Sequence, residues 1–395
     1  MTSFLQFGRI GDIPEQDWQQ LRQDRYPFLD YQFLKALEDH HCVGGDSGWQ
    51  PLYLVRNGAD GSADLIIPLF EKDHSYGEYV FDWSWADAYY RYGYTYYPKL
   101  LWAAPFTPAS GPRLLFRGDD TSAWSTAIEQ VYKVCSEQGF SGWHLNFFRE
   151  TDLGFATAPT ANGQKPLLRS ACQYHWYNRS YRDFSHYLES FTSRKRKSVR
   201  KEREKVIQTG IEIQRLTGND ISDADLQFFY RCYQLTYRKR NQQGYLNLGF
   251  FRQLLQHMAE QMLLVVARRD QKRIAAALYF FDDEHLYGRY WGCTEEVDGL
   301  HFEACYYQGI EFCIERRLLH FDPGTQGEHK ISRGFEPTLT YSVHHLEHPG
   351  FYDAIARFIE EEQQQVLVWQ QEAATLLPFN EGALDKPRAA PPLTD

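Results

Sequence analysis

The chain has 395 residues and a formal net charge of −10. That length points to two domains, and that charge excludes a protein that binds polyanions over its whole surface. No apolar run approaches the ~18 residues of a membrane span and no N-terminal apolar signal segment is present, so a soluble cytoplasmic protein without a transmembrane segment is expected.

In chain order, residues 1–26 read as a strand and a short polar helix around Trp18 and Leu21. Pro27 opens a helix with Phe28, Leu29, Phe33, Leu34 and Leu37 on one side. Pro51–Val55 and Asp64–Phe70 form a hairpin across Asn57–Gly58 and Asp60–Gly61, and Tyr76–Trp83 is a third strand-like run. Residues 84–104 are rich in Tyr and Trp and carry no clear period. PFTPASGP (105–112) is a loop, Ser122–Gly139 a helix, Trp143–Phe148 a strand, 151–167 a loop and Ser170–Tyr177 a strand.

The second part begins near Tyr181. Phe184–Phe191 is a short helix, and Ser193 caps a long basic helix ending at Gly210. Ile211–Leu216 is a strand, followed by helices Ser222–Lys239 and Phe250–Gln261. Three strands follow, Met262–Ala267, Ile274–Phe281 and His285–Trp291. The next helix puts Phe302, Cys305, Tyr306, Ile310, Cys313 and Ile314 on one face. Strand Leu318–Phe321 then leads into a loop that holds Glu328, His329, Lys330 and Arg333 between Gly324, Gly327 and Gly334. Ionisable groups on a Gly-rich loop beside a buried strand suit an active-site rim. Phe351–Leu376 is the final helix, and from Pro378 the composition suggests a loose tail. The expected domains are 1–180, 181–377 and a flexible 378–395.

Residues 52–70 lie on 263–281 at an offset of 211. At the same offset Tyr76–Tyr79 meets Tyr287–Tyr290, and at nearby offsets 28–37 meets 245–254 and 86–93 meets 302–309. Four blocks in one order imply two copies of an α/β unit, each with an antiparallel meander and flanking helices, and a ligand cleft between the halves.

Charge is uneven. Arg194, Lys195, Arg196, Lys197, Arg200, Lys201, Arg203 and Lys205 face only Glu202 and Glu204, a local +6 that leaves −16 elsewhere (−10 − 6). This helix would contact RNA, a nucleotide-linked substrate or an acidic surface of the same chain. The seven cysteines (42, 135, 172, 232, 293, 305, 313) show no CxxC spacing, which suits free buried thiols. His74, Glu78, Asp82 and Asp87 cluster in the first repeat; strand geometry would not give them one face, so no metal is expected and acceptor binding fits better. Arg113 would hold a carboxylate or phosphate, or else form a salt bridge. His344, His345 and His348 read as a solvated loop rather than a metal cluster. Glu303, in the first turn of its helix beside His301, is either a general base or a favourable N-terminal charge.

The motifs HSYGEYVFDWSWADAYYRYGYTYYPKL, PFTPASGPRLL, QYHWYN, SRKRKSVRKER, LYGRYWG, HFEACYYQGIEF and GEHKISRGFEPTLTYS resemble a bacterial family of FemAB-like proteins. That family is labelled peptidoglycan biosynthesis/recognition and placed in the GNAT acyltransferase superfamily. The resemblance covers about residues 27–360. It implies an α/β (α+β) fold of two tandem GNAT-like domains, each a mostly antiparallel sheet flanked by helices, the first on the acceptor side and the second catalytic. It also implies an amide-forming transferase that moves an acyl or aminoacyl group from acyl-CoA or aminoacyl-tRNA, as co-substrate rather than bound cofactor, to an amine of a peptide-like or cell-wall-precursor acceptor. In Fem-type proteins a Lys in a Phe-Lys…Phe-Gly stretch stabilises the reacting groups; His329-Lys330…Gly334-Phe335 resembles it. On that reading Lys330, His329, Glu328 and Glu303 are catalytic, the alternative being that Glu328, Lys330 and Arg333 form a structural ion-pair knot. Tyr306 and Tyr307 read as core and rim packing rather than catalytic, with a Tyr hydroxyl available as the final acid. Arg333, Gly327 and Tyr290 bind the donor, His74, Glu78, Asp82 and Arg113 bind the acceptor, and the basic helix is open to tRNA, although no helical-arm insertion of tRNA-using members is visible. The alternative is a non-catalytic protein that recognises a cell-wall peptide or RNA.

Overall fold

The hairpin read from the two Gly turns forms as β2 (Trp49–Asn57) and β3 (Ala63–Lys72), with Leu54 opposite Ile67 and Leu52 opposite Leu69. Its copy forms as β9 (Met262–Arg269) and β10 (Lys272–Phe281), with Val265 opposite Ala277. Both hairpins are buried on both faces, which explains runs of apolar residues where one-sided strands would alternate. These features come from a computed structural model that describes residues 3–118, 120–325 and 327–390. The chain divides into one unit of Met1–Cys172 with Leu339–Val368 and another of Gln173–Thr338 with Trp369–Asp395.

In the first unit the sheet runs β1 (Phe4–Phe7), β2, β3, β4 (Lys99–Trp102), β6 (Gly142–Phe148) and β13 (Glu336–Leu346). The pairs are antiparallel except β4–β6, which is parallel. A short β5 (Leu115–Phe116) adds to β3. Helices α1 (Glu15–Leu21) and α2 (Tyr31–Asp39) precede β2, and α4 (Ala123–Glu137) is the crossover that a parallel pair demands. A short α5 (Leu153–Ala156) follows β6. Helix α4 packs Ala127, Val131 and Cys135 on Leu54, Leu65 and Leu145.

In the second unit the order is β8 (Glu212–Thr217), β9, β10, β11 (His285–Cys293), β12 (His320–Asp322) and β7 (Leu167–Tyr177). Here too a single pair, β11–β12, is parallel. Helices α6 (Phe184–Glu189) and α7 (Ser193–Gln208) precede β8; α8 (Asp223–Arg238) and α9 (Leu248–Met258) follow it. The crossover from β11 to β12 starts with α10 (Leu300–Phe302), passes through a π-helical segment Glu303–Tyr307, and ends as α11 (Gln308–Arg316). The two sheets share one pairing pattern, a repeat firmer than the sequence blocks alone. Helix α12 (Pro349–Thr375) ends the regular structure.

Several expectations change. Tyr76–Trp83 is not a strand: Gly77 (φ +81°) and Tyr79 (φ +61°) are left-handed, and the segment turns Glu78 and Asp82 inward before α3 (Trp83–Arg91). Helix α3 lies between β3 and β4, whereas α10 and α11 lie between β11 and β12, so the 86–93 block pairs helices of different topological place. Helix α2 starts at Tyr31 because Asp30 accepts the Gln32 N–H at 2.8 Å; Pro27–Leu29 is a separate 3-10 turn. Thr192, not Ser193, is the cap position of α7, and it makes no side-chain capping bond.

His344 and His345 lie in β13, with His344 buried, rather than in a solvated loop. The tail is held as far as Ala389. Phe379 bridges Phe191, the Ala389 N–H donates to the Asn178 carbonyl at 2.7 Å, and Arg388 stacks 3.4 Å over the Tyr177 ring. Residues 391–395 lie outside the described residues. None of the seven cysteines forms a disulfide among the described residues, and no helix among them is long and apolar enough to cross a membrane.

One close approach gives a stability test. A Cβ at Gly292 of β11 would stand 2.2 Å from the Cys232 carbonyl oxygen of α8. Backbone cannot yield as a side chain can, so Gly292→Ala costs about 2–3 kcal/mol of stability, read as a fall in the urea midpoint. An unchanged midpoint contradicts this packing.

Candidate active site

Strand β11 pairs with β12 only from His285 to Tyr287, opposite His320 to Asp322. The chain then turns through Pro323 and Gly324, and Glu328–Arg333 forms a short 3-10 helix within the expected loop. Three pieces of the second unit meet there: the end of β11, the π-helical segment and this turn. The Tyr306 hydroxyl lies 2.8 Å from His329 Nε2. The His301 ring is 5.5 Å from Trp291, 5.4 Å from Tyr306 and 6.0 Å from His329. A π-helical insertion is uncommon in regular helices and concentrates at functional sites.

Lys330 is 1% exposed, and its Nζ donates to the Gly324 carbonyl. Burial lowers its pKa to about 8 against the opposing pull of Asp322 and Cys305. At neutral pH it is therefore a buried cation; an ammonium carries three N–H bonds, and among the described residues only Gly324 takes one. Burial, then Arg333 and Lys330, lower the His329 pKa, so its imidazole is neutral near pH 7. Burial raises that of Tyr306, which keeps its proton, and its hydroxyl shares a hydrogen bond with His329 Nε2. Burial and the neighbouring His329 bring His301 down to about 4.

The other predicted residues are placed as follows. Glu328 is exposed at the first position of the turn. Glu303 is buried and held by Arg203 through two bonds of 2.9 and 2.8 Å, with Gln308 Nε2 at 2.8 Å. It clamps the π-helical segment rather than standing free as a base. Arg333 pairs with Glu202 at 2.5 and 3.1 Å, donates to the His329 carbonyl at 2.6 Å, and covers the Phe302 ring at 3.5 Å. Gly327 (φ +105°) leaves room for the His329 ring, which a Cβ would meet at 2.0 Å. Tyr290 packs on the other face of β11, 5.2 Å from Tyr233 and 5.7 Å from Phe251. Alternate strand residues point opposite ways, so Trp291 is the one that faces His301.

Helix α7 faces two ways. Glu202 and Arg203 reach inward to Arg333, Tyr307, Glu303 and Glu311. Arg194, Lys197, Arg200 and Lys201 are exposed and Lys195 half-buried; none of these five forms an ion pair among the described residues. Arg196 donates to the Phe191 carbonyl at 3.2 Å and Lys205 pairs with Asp298 at 2.6 Å. The internal electrostatic match thus accounts for only part of the charge. His301, Trp291, Glu202 and Arg203 are site residues that sequence reasoning missed. The one signal was an acidic residue inside a basic run, which marks an inward-facing partner.

In the first unit, Glu78 and Asp82 meet Lys72 and Lys99, which sequence reasoning also missed. Lys99 is fully buried and bonds Glu78 at 2.8 Å, Ser75 at 2.9 Å and Asp82. Lys72 bonds the Gly48 carbonyl at 3.0 Å and sits 3.3 Å from His74 and 3.9 Å from Glu78. The Tyr96 hydroxyl joins Asp82 (2.7 Å) to His144 (3.3 Å), and His144 meets His344 at 2.7 Å. Burial pushes Glu78 up to about 7 and Lys72 down to about 7. Burial also pushes Asp82 upward, but Lys99 and His144 outweigh it and bring the carboxyl to about 2. These carboxylates face a sealed core, not an acceptor groove. Arg113 gives its donors to the carbonyls of Asn146, Pro112 and Ala109, each at 2.8 Å. It staples the PFTPASGP loop instead of holding an anion.

Comparison with known proteins agrees with this architecture. The FemAB-like family model, described as peptidoglycan biosynthesis/recognition, matches residues 9–381. The structure of FemX is similar at a TM-score of 0.53 and 11% identity, covering 89% of this chain and 100% of that one. The C-terminal domain of a putative lysylphosphatidylglycerol synthetase from Agrobacterium fabrum gives 0.52 and 10%, with coverage of 86% and 94%. A conserved protein of unknown function from Bacteroides thetaiotaomicron gives 0.50 and 12%, covering 87% and 99%. No curated protein matches the sequence. At these identities the likeness establishes the fold alone, a fold in which the strand-pairing pattern occurs twice.

Proposed function

Because the chain belongs to the FemAB-like family, we propose that its second unit is an amide-forming acyltransferase centre built on Lys330, Tyr306 and His329. The observation that carries this reading is a buried Lys330 ammonium next in sequence to His329, whose ring hydrogen-bonds Tyr306 of the π-helical segment. The acceptor amine nitrogen attacks the acyl carbon of an ester or thioester, and the carbonyl electrons move onto oxygen beside Lys330. The amine proton passes to Tyr306 Oη as the tyrosine's own proton moves to His329 Nε2. When the intermediate collapses the C–O or C–S bond breaks, and the proton returns through Tyr306 to the leaving group. Glu303 and Arg333 act as positioning residues through Arg203 and Glu202.

The family label favours an amine of a peptide-like or cell-wall-precursor acceptor. The unpaired cations of α7 favour a polyanionic donor, aminoacyl-tRNA, over acyl-CoA. Incubation with a peptide amine and each donor, read by mass spectrometry, tests the reaction: a new amide supports it. Binding of the peptide without product from either donor supports the recognition protein instead. Reversing three exposed charges (Lys197→Glu, Arg200→Glu, Lys201→Glu) raises KM for the charged RNA by about tenfold or more. It leaves kcat intact and flattens the salt dependence by about two to three units of log–log slope. An unchanged KM removes RNA from α7.

A further inference from the structure

Helix α3 shows its two sides unequally. Trp85 and Tyr89 are buried against Tyr96, Phe351 and Ile355. The face at i, i+3, i+4 and i+7, namely Trp83, Ala86, Asp87 and Tyr90, lines a cavity of about 420 Å³ whose other wall is Tyr94 to Tyr97. Tyr90 is 84% exposed, Tyr94 49% and Trp83 38%. Large rings left in water along one helix face mark a binding surface.

The chemistry of the lining selects a ligand. The Tyr96 hydroxyl is taken by Asp82 at 2.7 Å and the Tyr97 hydroxyl by Ser75 at 2.9 Å, so those two rings offer their faces and edges. Asp87 is exposed and forms no hydrogen bond or ion pair among the described residues. The lining contains no Lys, Arg, Asn or Gln. Aromatic faces carry the negative end of the ring quadrupole, and a carboxylate carries a full negative charge. A sugar would need a mixture of planar donors and acceptors for its hydroxyls, which this wall lacks. We infer that the cavity of the first unit between α3 and Tyr94–Tyr97 binds an alkylammonium group, with Asp87 as counter-ion and Trp83, Tyr90 and Tyr94 as its aromatic walls. The inference is independent of the transferase reading, because it concerns binding in the other unit and needs no turnover.

Isothermal titration of the full chain with choline and n-butylammonium tests it, alongside 3,3-dimethyl-1-butanol, the neutral isostere of choline, and N-acetylglucosamine. Both cations bind, and the isostere and the sugar bind at least about tenfold more weakly. Asp87→Asn weakens the cations about tenfold, and Tyr90→Ala about three- to tenfold. Both positions are exposed, so an unchanged melting temperature separates lost binding from lost folding. Equal affinity for the isostere, binding of the sugar in preference to the cations, indifference to Asp87→Asn, or no binding of either cation each overturns the assignment.

Discussion

Lys330→Met sharply slows acyl transfer and leaves the protein at least as stable as before. Removing one positive donor from a developing oxyanion costs about 10²–10³ in kcat. Stability moves the other way because the buried ammonium is a cost in the folded state. Its pKa falls from 10.5 unfolded to about 8 folded, so the unfolded chain binds the proton more tightly. The penalty is fully present below pH 8 and shrinks as pH rises from 8 towards 10.5; its size is on the order of 3 kcal/mol. Loss of the bond to Gly324 offsets part of the gain. The pH–rate curve follows the same group: wild-type turnover falls as pH rises through about 8, where the cation is lost. A structural lysine would show the opposite pattern, with a lower melting temperature in Lys330→Met and full activity in the surviving folded fraction.

Lys99→Met has the largest effect on stability. Glu78 and Asp82 both rest on this fully buried ammonium, and Tyr96 and Ser75 extend the network. Glu78 Oε1 and Asp82 Oδ1 already have no hydrogen-bond partner among the described residues. Without Lys99, two carboxylates are left in a sealed core, a loss of about 3–5 kcal/mol by urea unfolding near pH 7. The variant regains stability as pH falls, because carboxylates whose folded pKa is raised take up protons more readily folded than unfolded. Combining it with Glu78→Gln and Asp82→Asn recovers much of the loss, since the penalty comes from uncompensated charge. A change below about 1 kcal/mol in Lys99→Met contradicts a buried ionic core.

The hairpins and crossover helices were legible because their apolar residues recur at strand or helix period and their turns carry Gly and Asp. The failures have common causes. Tyr76–Trp83 has the composition of a strand, yet Gly77 and the buried charges decide its path. No local pattern shows that Lys72 and Lys99 lie beside Glu78 and Asp82, because their meeting depends on β3 and β4 being paired. The same holds for Glu202 with Arg333, 131 residues apart. Lys330 is legible because charges on a Gly-rich turn stand out, whereas only the facing of β11 separates Tyr290 from Trp291. The tail read as loose because Pro and Ala are abundant, while Phe379 and Arg388 fix it.

The most direct measurement is hydrogen exchange of the full chain with and without an unreactive donor, either an amide-linked aminoacyl-tRNA or a CoA thioether. The account predicts that one of them slows exchange in 300–307 and 324–335. Protection confined to segments of the first unit, or none from either donor, contradicts a transfer centre at Lys330.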